Sequence, residues 1–281
     1  MSHSSSSPDA DTSPDPAYIS AQLTQIGWMN WVGVRTLIWR EILRFIKVPN
    51  QTILAPVVTT LLFLAVLVLA LGGNTRRVAG VEFDQFIAPG LIMMAIVQNA
   101  FANPSSSLML QKVQGVIVDL LMPPLTAGEI ILSLIAGALV RGVLVGLTVG
   151  GALYVFVPYP IAHPILMVVY AILASTLMAL VGILVGLWSK SFDHISAATN
   201  YVITPMAFLS GTFYSIRNLP EFWERICYYN PFFYMIDGFR YALVDYHDGS
   251  TAVGISVLTV CCALLTATAW YMLHRGYRLK S

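Results

Sequence analysis

Long apolar runs, interrupted by short clusters of charged residues, dominate the chain and predict helices that cross a lipid bilayer. A crossing helix needs about 20 consecutive apolar residues. Charged residues mark where the chain leaves the hydrocarbon, and a proline-rich cluster at 157–160 divides one run that is too long for a single crossing. Six spans are therefore predicted, at about 51–71, 86–107, 130–157, 165–187, 195–215 and 252–273.

A basic amphipathic segment, residues 27–47, precedes the first span. Its apolar side holds Trp31, Val34, Ile38, Ile42 and Phe45. Its basic side holds Arg40, Arg44 and Lys47. Because a basic helix with tryptophan at its apolar edge suits the lipid headgroup region, we expect an interfacial helix here. A solvated segment leading into the first span is the alternative.

The segment between spans five and six, residues 216–248, is rich in Phe, Tyr and Trp. The Asn230-Pro231 pair breaks it into two short helices, neither of which is long enough to cross. In the second helix, Asp237 and Arg240 are three residues apart and can pair. These features predict a re-entrant helical hairpin, or an aromatic plate, at the outer face of the membrane.

A second short element, residues 108–128, lies between spans two and three. Its apolar residues follow helical spacing, and Pro123-Pro124 end the helix. The element is too short to cross. It is either a helix that docks on a partner or a plain amphipathic connector.

Composition confirms the class that the pattern indicates. Of the 281 residues, 57% are hydrophobic and only 10% are charged, whereas soluble domains carry about 25% charged residues. The fold class expected is an all-α membrane protein, with a polar disordered tail at 1–26 and a membrane domain at 48–278. The net charge of +1 argues against a nucleic-acid partner, which requires a clustered basic surface.

The distribution of Lys and Arg predicts that both termini are cytoplasmic. With that orientation, cytoplasmic segments hold nine of these residues: Arg35, Arg40, Arg44, Lys47, Lys112, Lys190, Arg275, Arg278 and Lys280. The outer loops hold five: Arg76, Arg77, Arg217, Arg225 and Arg240.

The motifs of common energy sources and enzymes are not found in the sequence. It contains no G-x-x-x-x-G-K-[ST] phosphate loop, so ATP binding by this chain is not expected. The predicted spans hold no pair of carboxylates of the kind that ion-driven carriers use. No His is spaced from another His or from a Glu as a metal site requires. We therefore expect no catalytic residue, no cofactor and no metal.

Arg141 is the one charged residue that the sequence places well inside a predicted span. A buried arginine is costly and is usually paired or turned toward a polar cavity. Gly142, Gly146 and Gly150 follow it at four-residue spacing and allow another helix to approach closely. One hypothesis is that Arg141 faces an anionic part of a substrate or a partner carboxylate. The other is a structural arginine that snorkels toward the cytoplasm.

Three motifs resemble the ABC-2 type transport permeases, the membrane subunits of bacterial ATP-driven exporters. The strongest similarity covers 205–240. It includes Pro205, Leu209-Ser210-Gly211, Phe213, Tyr214, Pro220, Asn230-Pro231, Tyr234, Gly238 and Arg240. The second is Asp119-Leu120-Leu121 followed by Pro123-Pro124, with Asp in place of the more usual Glu, and the third is Phe86-Ile87-Ala88-Pro89-Gly90.

The resemblance implies a partnership and a location. Two permease copies would pair, commonly as a homodimer in the bacterial inner membrane, and two separate ATPase subunits would dock on the cytoplasmic face. The 108–128 element, with Lys112, Asp119, Pro123 and Pro124, would couple to the ATPase. Asn230, Pro231, Tyr234 and Arg240 would belong to the outer hairpin.

The expected function is that of a permease subunit for an amphipathic, lipid-like, drug-like or glycan substrate. The alternative is a secondary transporter driven by an ion gradient, which would need an intramembrane acid or an unwound ion site. A membrane scaffold without transport is a third class.

Overall fold

The computed structural model describes residues 29–71, 77–78, 80–115 and 125–275. The predicted tail at 1–26 lies outside these residues, as do Asp119, Pro123 and Pro124. The N-terminal half contains α1 (Trp31–Ile46), a π-helical turn (Asn50–Leu54) that continues into α2 (Ala55–Leu71), α3 (Phe83–Val113) and α4 (Ala127–Phe156). The C-terminal half contains α5 (Pro164–Trp188), α6 (Phe192–Ala198), a π-helical turn (Thr199–Ile203), α7 (Thr204–Leu209), a 3-10 turn (Ile216–Asn218), α8 (Glu221–Tyr229), α9 (Pro231–Val244) and α10 (Thr251–His274).

A small β-ribbon precedes α3 and corrects the purely helical expectation. Strand β1 (Arg77–Val78) pairs antiparallel with β2 (Val81–Glu82), so that Arg77 lies opposite Glu82. Gly80 adopts a φ of +88°, a left-handed conformation that favours glycine in a tight turn.

Five described helices are long and apolar enough to cross a membrane. They are Asn50–Ala70, Phe83–Val113, Ala127–Phe156, Pro164–Trp188 and Thr251–His274. Each contains one predicted span, which confirms a helical membrane protein. The helix predicted at 195–215 was placed too far along the chain, because the backbone leaves helical geometry after Leu209. Gly211 takes a φ of +76° there, which turns the chain toward the 3-10 turn.

Helix α3 forms the centre of the molecule. Most of its apolar stretch is buried, whereas α2 and α10 expose most of theirs. It packs mainly against α5 and α4, and then against α9 and α2. Glycines allow the close approach of neighbouring helices: as predicted for Gly146 of α4, a methyl group there would lie 2.8 Å from Ile96 of α3. A methyl group on Gly182 of α5 would lie 2.5 Å from the carbonyl oxygen of Phe101.

The packed face of α1 differs from the predicted one. Val34, Leu37 and Phe45 are buried, but Trp31 is 69% exposed. The fourth buried residue of this stripe is an acid, Glu41, which fits against Gly137 of α4. The face is rotated because polar side chains of α3 provide hydrogen bonds that the amphipathic pattern does not reveal.

Candidate functional site

A cavity of about 450 Å³ lies between α2, α3, α4 and the helical stretch 199–208. Most of its lining is apolar. Polar groups enter from three helices and include Gln51, Thr59, Thr60, Gln98, Asn99 and Arg141. A site that combines apolar walls with a few convergent polar groups is typical of ligand binding.

Arg141, which lines the cavity, lies at the middle of α4. It lies 14 residues from the first residue of α4, Ala127, and 15 from the last, Phe156. Its Nε and Nη2 atoms donate to the Asn99 side-chain oxygen at 3.2 and 3.0 Å. Asn99 is itself near the middle of α3, so the guanidinium group remains at mid-helix depth instead of extending toward a helix end.

The amide of Asn99 is held in the orientation that receives Arg141. Its Nδ2 group donates to the carbonyl oxygen of Ala95 at 3.0 Å, which leaves Oδ1 directed at the guanidinium group. Among the residues that the structure describes, no carboxylate lies within 4.0 Å of Arg141. Arg141 therefore meets an amide and a cavity rather than a countercharge.

A polar network joins α1 to α3 one helical turn from Asn99. Glu41, which is 1% exposed, accepts hydrogen bonds from Ser107 Oγ at 2.7 Å and Arg44 Nη2 at 3.1 Å. Arg44 also donates to the backbone oxygen of Asn103 at 2.6 Å and to its side-chain oxygen at 3.1 Å. This network is not among the features predicted from the sequence. The feature of the sequence that indicates it is an acid, Glu41, on the same helical stripe as Val34.

Lys112 contacts the end of α5. Its Nζ group donates to the carbonyl oxygens of Gly186, Leu187 and Ser189 at 2.9, 2.5 and 3.2 Å. These carbonyls belong to the last turn of a helix, where unpaired oxygens and the helix dipole both favour a cation. Lys112 thus ties the end of α3 to the end of α5.

Among the predicted site residues that the structure describes, Arg240 is the most enclosed, at 1% exposure. It donates from Nε to the Phe86 carbonyl at 3.2 Å and from Nη2 to the Gly211 carbonyl at 2.6 Å. Its guanidinium carbon lies 4.0 Å from the centroid of the Phe86 ring. The expected hydrogen-bonded pair with Asp237 is not formed; that carboxylate accepts instead from the backbone N–H groups of Asp248 and Gly249, at 2.7 and 2.9 Å.

The remaining hairpin residues fix the start of α9. Asn230 Oδ1 accepts from the N–H of Phe232 at 3.1 Å and caps the helix, whose first residue is Pro231. Asn230 Nδ2 donates to Ser210 Oγ at 2.7 Å, and the Tyr234 hydroxyl donates to the Tyr228 carbonyl at 2.9 Å. These contacts hold α8, α9 and the end of α7 together.

Residues 32–244 match the family model described as ABC-2 type transporter. The chain belongs to the ABC-2 type transporter family. It is 35% identical over 251 residues to the inner membrane transport permease YadH of Escherichia coli K12, a match that covers 89% of this chain and 98% of that protein.

Nodulation proteins J are more distant relatives. The protein from Rhizobium meliloti strain 1021 is 27% identical over 254 residues, which cover 87% of this chain and 91% of that protein. The one from Neorhizobium galegae is 26% identical over 235 residues, covering 81% and 86%.

Family membership and the apolar helices make this ABC-2 protein a multi-pass transport permease of the inner membrane. Such a permease is a transporter subunit rather than an enzyme, and its family implies association with an ABC ATPase. The matched region begins at residue 32, so it includes nearly all of α1. Within the described ranges, no group of three or more His, Cys, Asp or Glu side chains could hold a metal ion.

Proposed function

We propose that this chain is the permease of an ATP-driven exporter, in which two copies of the chain pair and two separate ATPase subunits act on them. The observation that carries the proposal is the cavity at the middle of the spanning helices, in a chain of a transport family. Its apolar walls and convergent polar groups favour an amphipathic substrate, of a lipid-like, drug-like or glycan class.

Six crossings are part of this proposal. The stretch from Phe192 to Leu209 is helical throughout and contains 18 residues, which at about 1.5 Å per residue gives a length of about 27 Å. That length is close to the hydrocarbon thickness of about 30 Å. With this sixth span both termini lie on the same side, which the Lys and Arg distribution assigns to the cytoplasm.

The outer hairpin completes that arrangement. Helices α8 and α9 contain 9 and 14 residues, too few for either to cross a bilayer. As a re-entrant pair, the two helices would begin and end on the same side of the membrane. The hydrogen bonds of Asn230 to Ser210 and of Arg240 to Gly211 support a fixed structure of this kind.

Coupling to ATP hydrolysis would act through α1 and through the 108–128 element with Lys112, Asp119, Pro123 and Pro124. The contacts of α1 support this route. Its first turn is joined to α4, because the backbone N–H of Asn30 donates to Glu129 at 2.6 Å. Its middle is joined to α3 through Glu41 and Arg44. A force on α1 would therefore reach the turn of α3 next to the one that holds Arg141.

A secondary transporter is the second candidate, and one observation favours it. Glu41 is a buried acid, the kind of group that an ion-driven carrier needs. The position of Glu41 argues against an ion-coupling role, because this residue lies on α1 rather than on a spanning helix and is already bonded to Arg44.

The deciding experiment is purification of the tagged chain from its own membranes in mild detergent, with mass spectrometry of the proteins that accompany it. We expect a soluble ATPase with a phosphate loop, near one copy per permease, and vanadate-sensitive transport after reconstitution. A chain that is recovered alone even after cross-linking, with transport that an ionophore abolishes and vanadate does not, would contradict the exporter proposal.

A further inference from the structure

Arg141 has hydrogen-bonding capacity that the protein does not use. Two of its nitrogens, Nε and Nη2, share the single oxygen of Asn99. Across the described parts of the chain, no acceptor contacts Nη1. The side chain lines the cavity, where an entering group can reach it.

The surroundings of Arg141 carry excess positive charge. Asn99 and Asn103 are one turn apart on α3, and they receive Arg141 and Arg44 respectively. The acid of this region, Glu41, is engaged by Arg44 and Ser107 and lies 3.8 Å from Arg40. Its charge is therefore already matched by cations of α1, and it does not contact Arg141.

An anion in the cavity would correct this imbalance. An arginine at mid-membrane depth is costly unless it is paired. Its planar fork binds phosphate or carboxylate oxygens with two parallel hydrogen bonds, which are stronger than bonds between neutral groups. The cavity volume of about 450 Å³ has room for such a group and the first part of an alkyl chain.

We propose that the cavity around Arg141 binds the phosphate or carboxylate group of an anionic amphiphile, with the acyl portion along the apolar walls formed by α2 and α3. The inference rests on the proposed function in one respect: the bound amphiphile belongs to the class of the transported substrate. Gln98 and Thr60 line the same cavity and supply further hydrogen bonds to the head group.

The test is a scintillation proximity assay with phosphorus-labelled dodecyl phosphate and the full chain purified in a neutral maltoside detergent. We expect saturable binding to the wild type that R141Q weakens at least tenfold and R141K weakens less. The matched control is R225Q, which removes the same charge from an exposed arginine paired with Glu221 on the outer hairpin. It should bind like the wild type.

A second variant does not touch the guanidinium group. Thr59 is exposed and lines the cavity, so Thr59→Phe fills space without disturbing the packed core. We expect T59F to weaken binding while the protein elutes and melts like the wild type. If R141Q does not fold, R141K and T59F decide the question. Equal affinities of the wild type, R141K and T59F would overturn the proposal.

Competitors identify the source of the anion. Unlabelled dodecyl phosphate should displace the probe, and neither dodecyltrimethylammonium nor inorganic phosphate should do so at the same concentration. Equal displacement by inorganic phosphate would show that the site binds a free anion, and it would overturn the proposal that the ligand is an amphiphile. Because the assay needs no ATPase, its failure leaves the exporter proposal intact, and a missing ATPase leaves the binding result intact.

Discussion

Two arginines of this permease, the buried Arg240 and the partly buried Arg141, are held in opposite ways. Arg240 is bonded to backbone carbonyls from two separate parts of the chain and stacks on Phe86. Arg141 is bonded to one side-chain amide and borders a cavity. Neither forms an ion pair within 4.0 Å with a carboxylate of the described residues.

The difference separates a structural cation from a candidate binding cation. A turn of fixed shape, with Gly211 in a left-handed conformation, presents its carbonyls to Arg240. The guanidinium group in turn satisfies the Gly211 carbonyl oxygen, which would otherwise be buried without a partner, so neither side can change alone. At Arg141 the supporting contact is a single amide, and a ligand can complete the site.

The largest effect should come from removing the structural arginine. R240Q leaves the buried carbonyl of Gly211 without its donor, which costs about 1–3 kcal/mol, and the lost stacking of the guanidinium group on Phe86 adds about 2 kcal/mol. We expect R240Q to accumulate poorly and to lose its monodisperse peak in size-exclusion chromatography. R217Q is the matched control, since Arg217 is on the same segment between α7 and α10 but is largely exposed. A wild-type melting temperature for R240Q would contradict the structural role.

A smaller effect should follow from disturbing the helix that carries Arg240. A methyl group on Gly238 would lie 2.0 Å from the ring of Tyr170, whose hydroxyl donates to the Thr251 carbonyl at 3.0 Å. Overpacking of this kind costs about 1–3 kcal/mol. We expect G238A to lower the melting temperature measured in detergent by light scattering. G151A is the control, because a methyl group there meets nothing within 4 Å. Equal melting temperatures for both would contradict the tight contact between α9 and α5.

The network beneath Arg141 provides the next test. E41Q removes the negative charge that offsets Arg44, while the amide oxygen can still accept one bond from Ser107. Loss of the charge-assisted bond should destabilise the protein by about 1–2 kcal/mol. It should also make the cavity more positive, so dodecyl phosphate should bind E41Q two- to threefold more tightly than the wild type. Unchanged binding by a folded E41Q would show that the two turns are electrically independent, and weaker binding would contradict the predicted effect of charge. E221Q is the control, since Glu221 is an exposed acid on α8.

Much of the helical framework could be predicted because it depends on local sequence. The span predicted at 165–187 lies within the observed Pro164–Trp188, since its boundaries are set by neighbouring polar and proline residues. The burial of Glu41 and the docking of Lys112 on α5 depend on residues more than 60 positions away. Periodicity contains no information on such contacts.

The same distinction between local and distant information applies to the site residues. The cost of a cation in hydrocarbon predicts that Arg141 faces protein or a cavity. It does not predict that the partner of Arg141 is Asn99, which lies 42 residues earlier in the chain. The pairing of Asp237 with Arg240 was wrong because helical spacing places two side chains near each other without excluding better backbone partners at either.

The smallest change in stability and the clearest change in binding should come from N99D. This substitution gives Arg141 a carboxylate in the position of the amide oxygen, so it supplies within the protein the charge that we assign to a ligand. The lost bond from Asn99 Nδ2 to the Ala95 carbonyl is offset by a charge-assisted pair with Arg141. We expect a melting temperature within a few degrees of the wild type and no measurable binding of dodecyl phosphate. N99Q keeps a neutral amide and should retain part of the affinity. If N99D binds the probe as well as the wild type does, Arg141 does not hold the anion, and the distinction between the two arginines is one of geometry only.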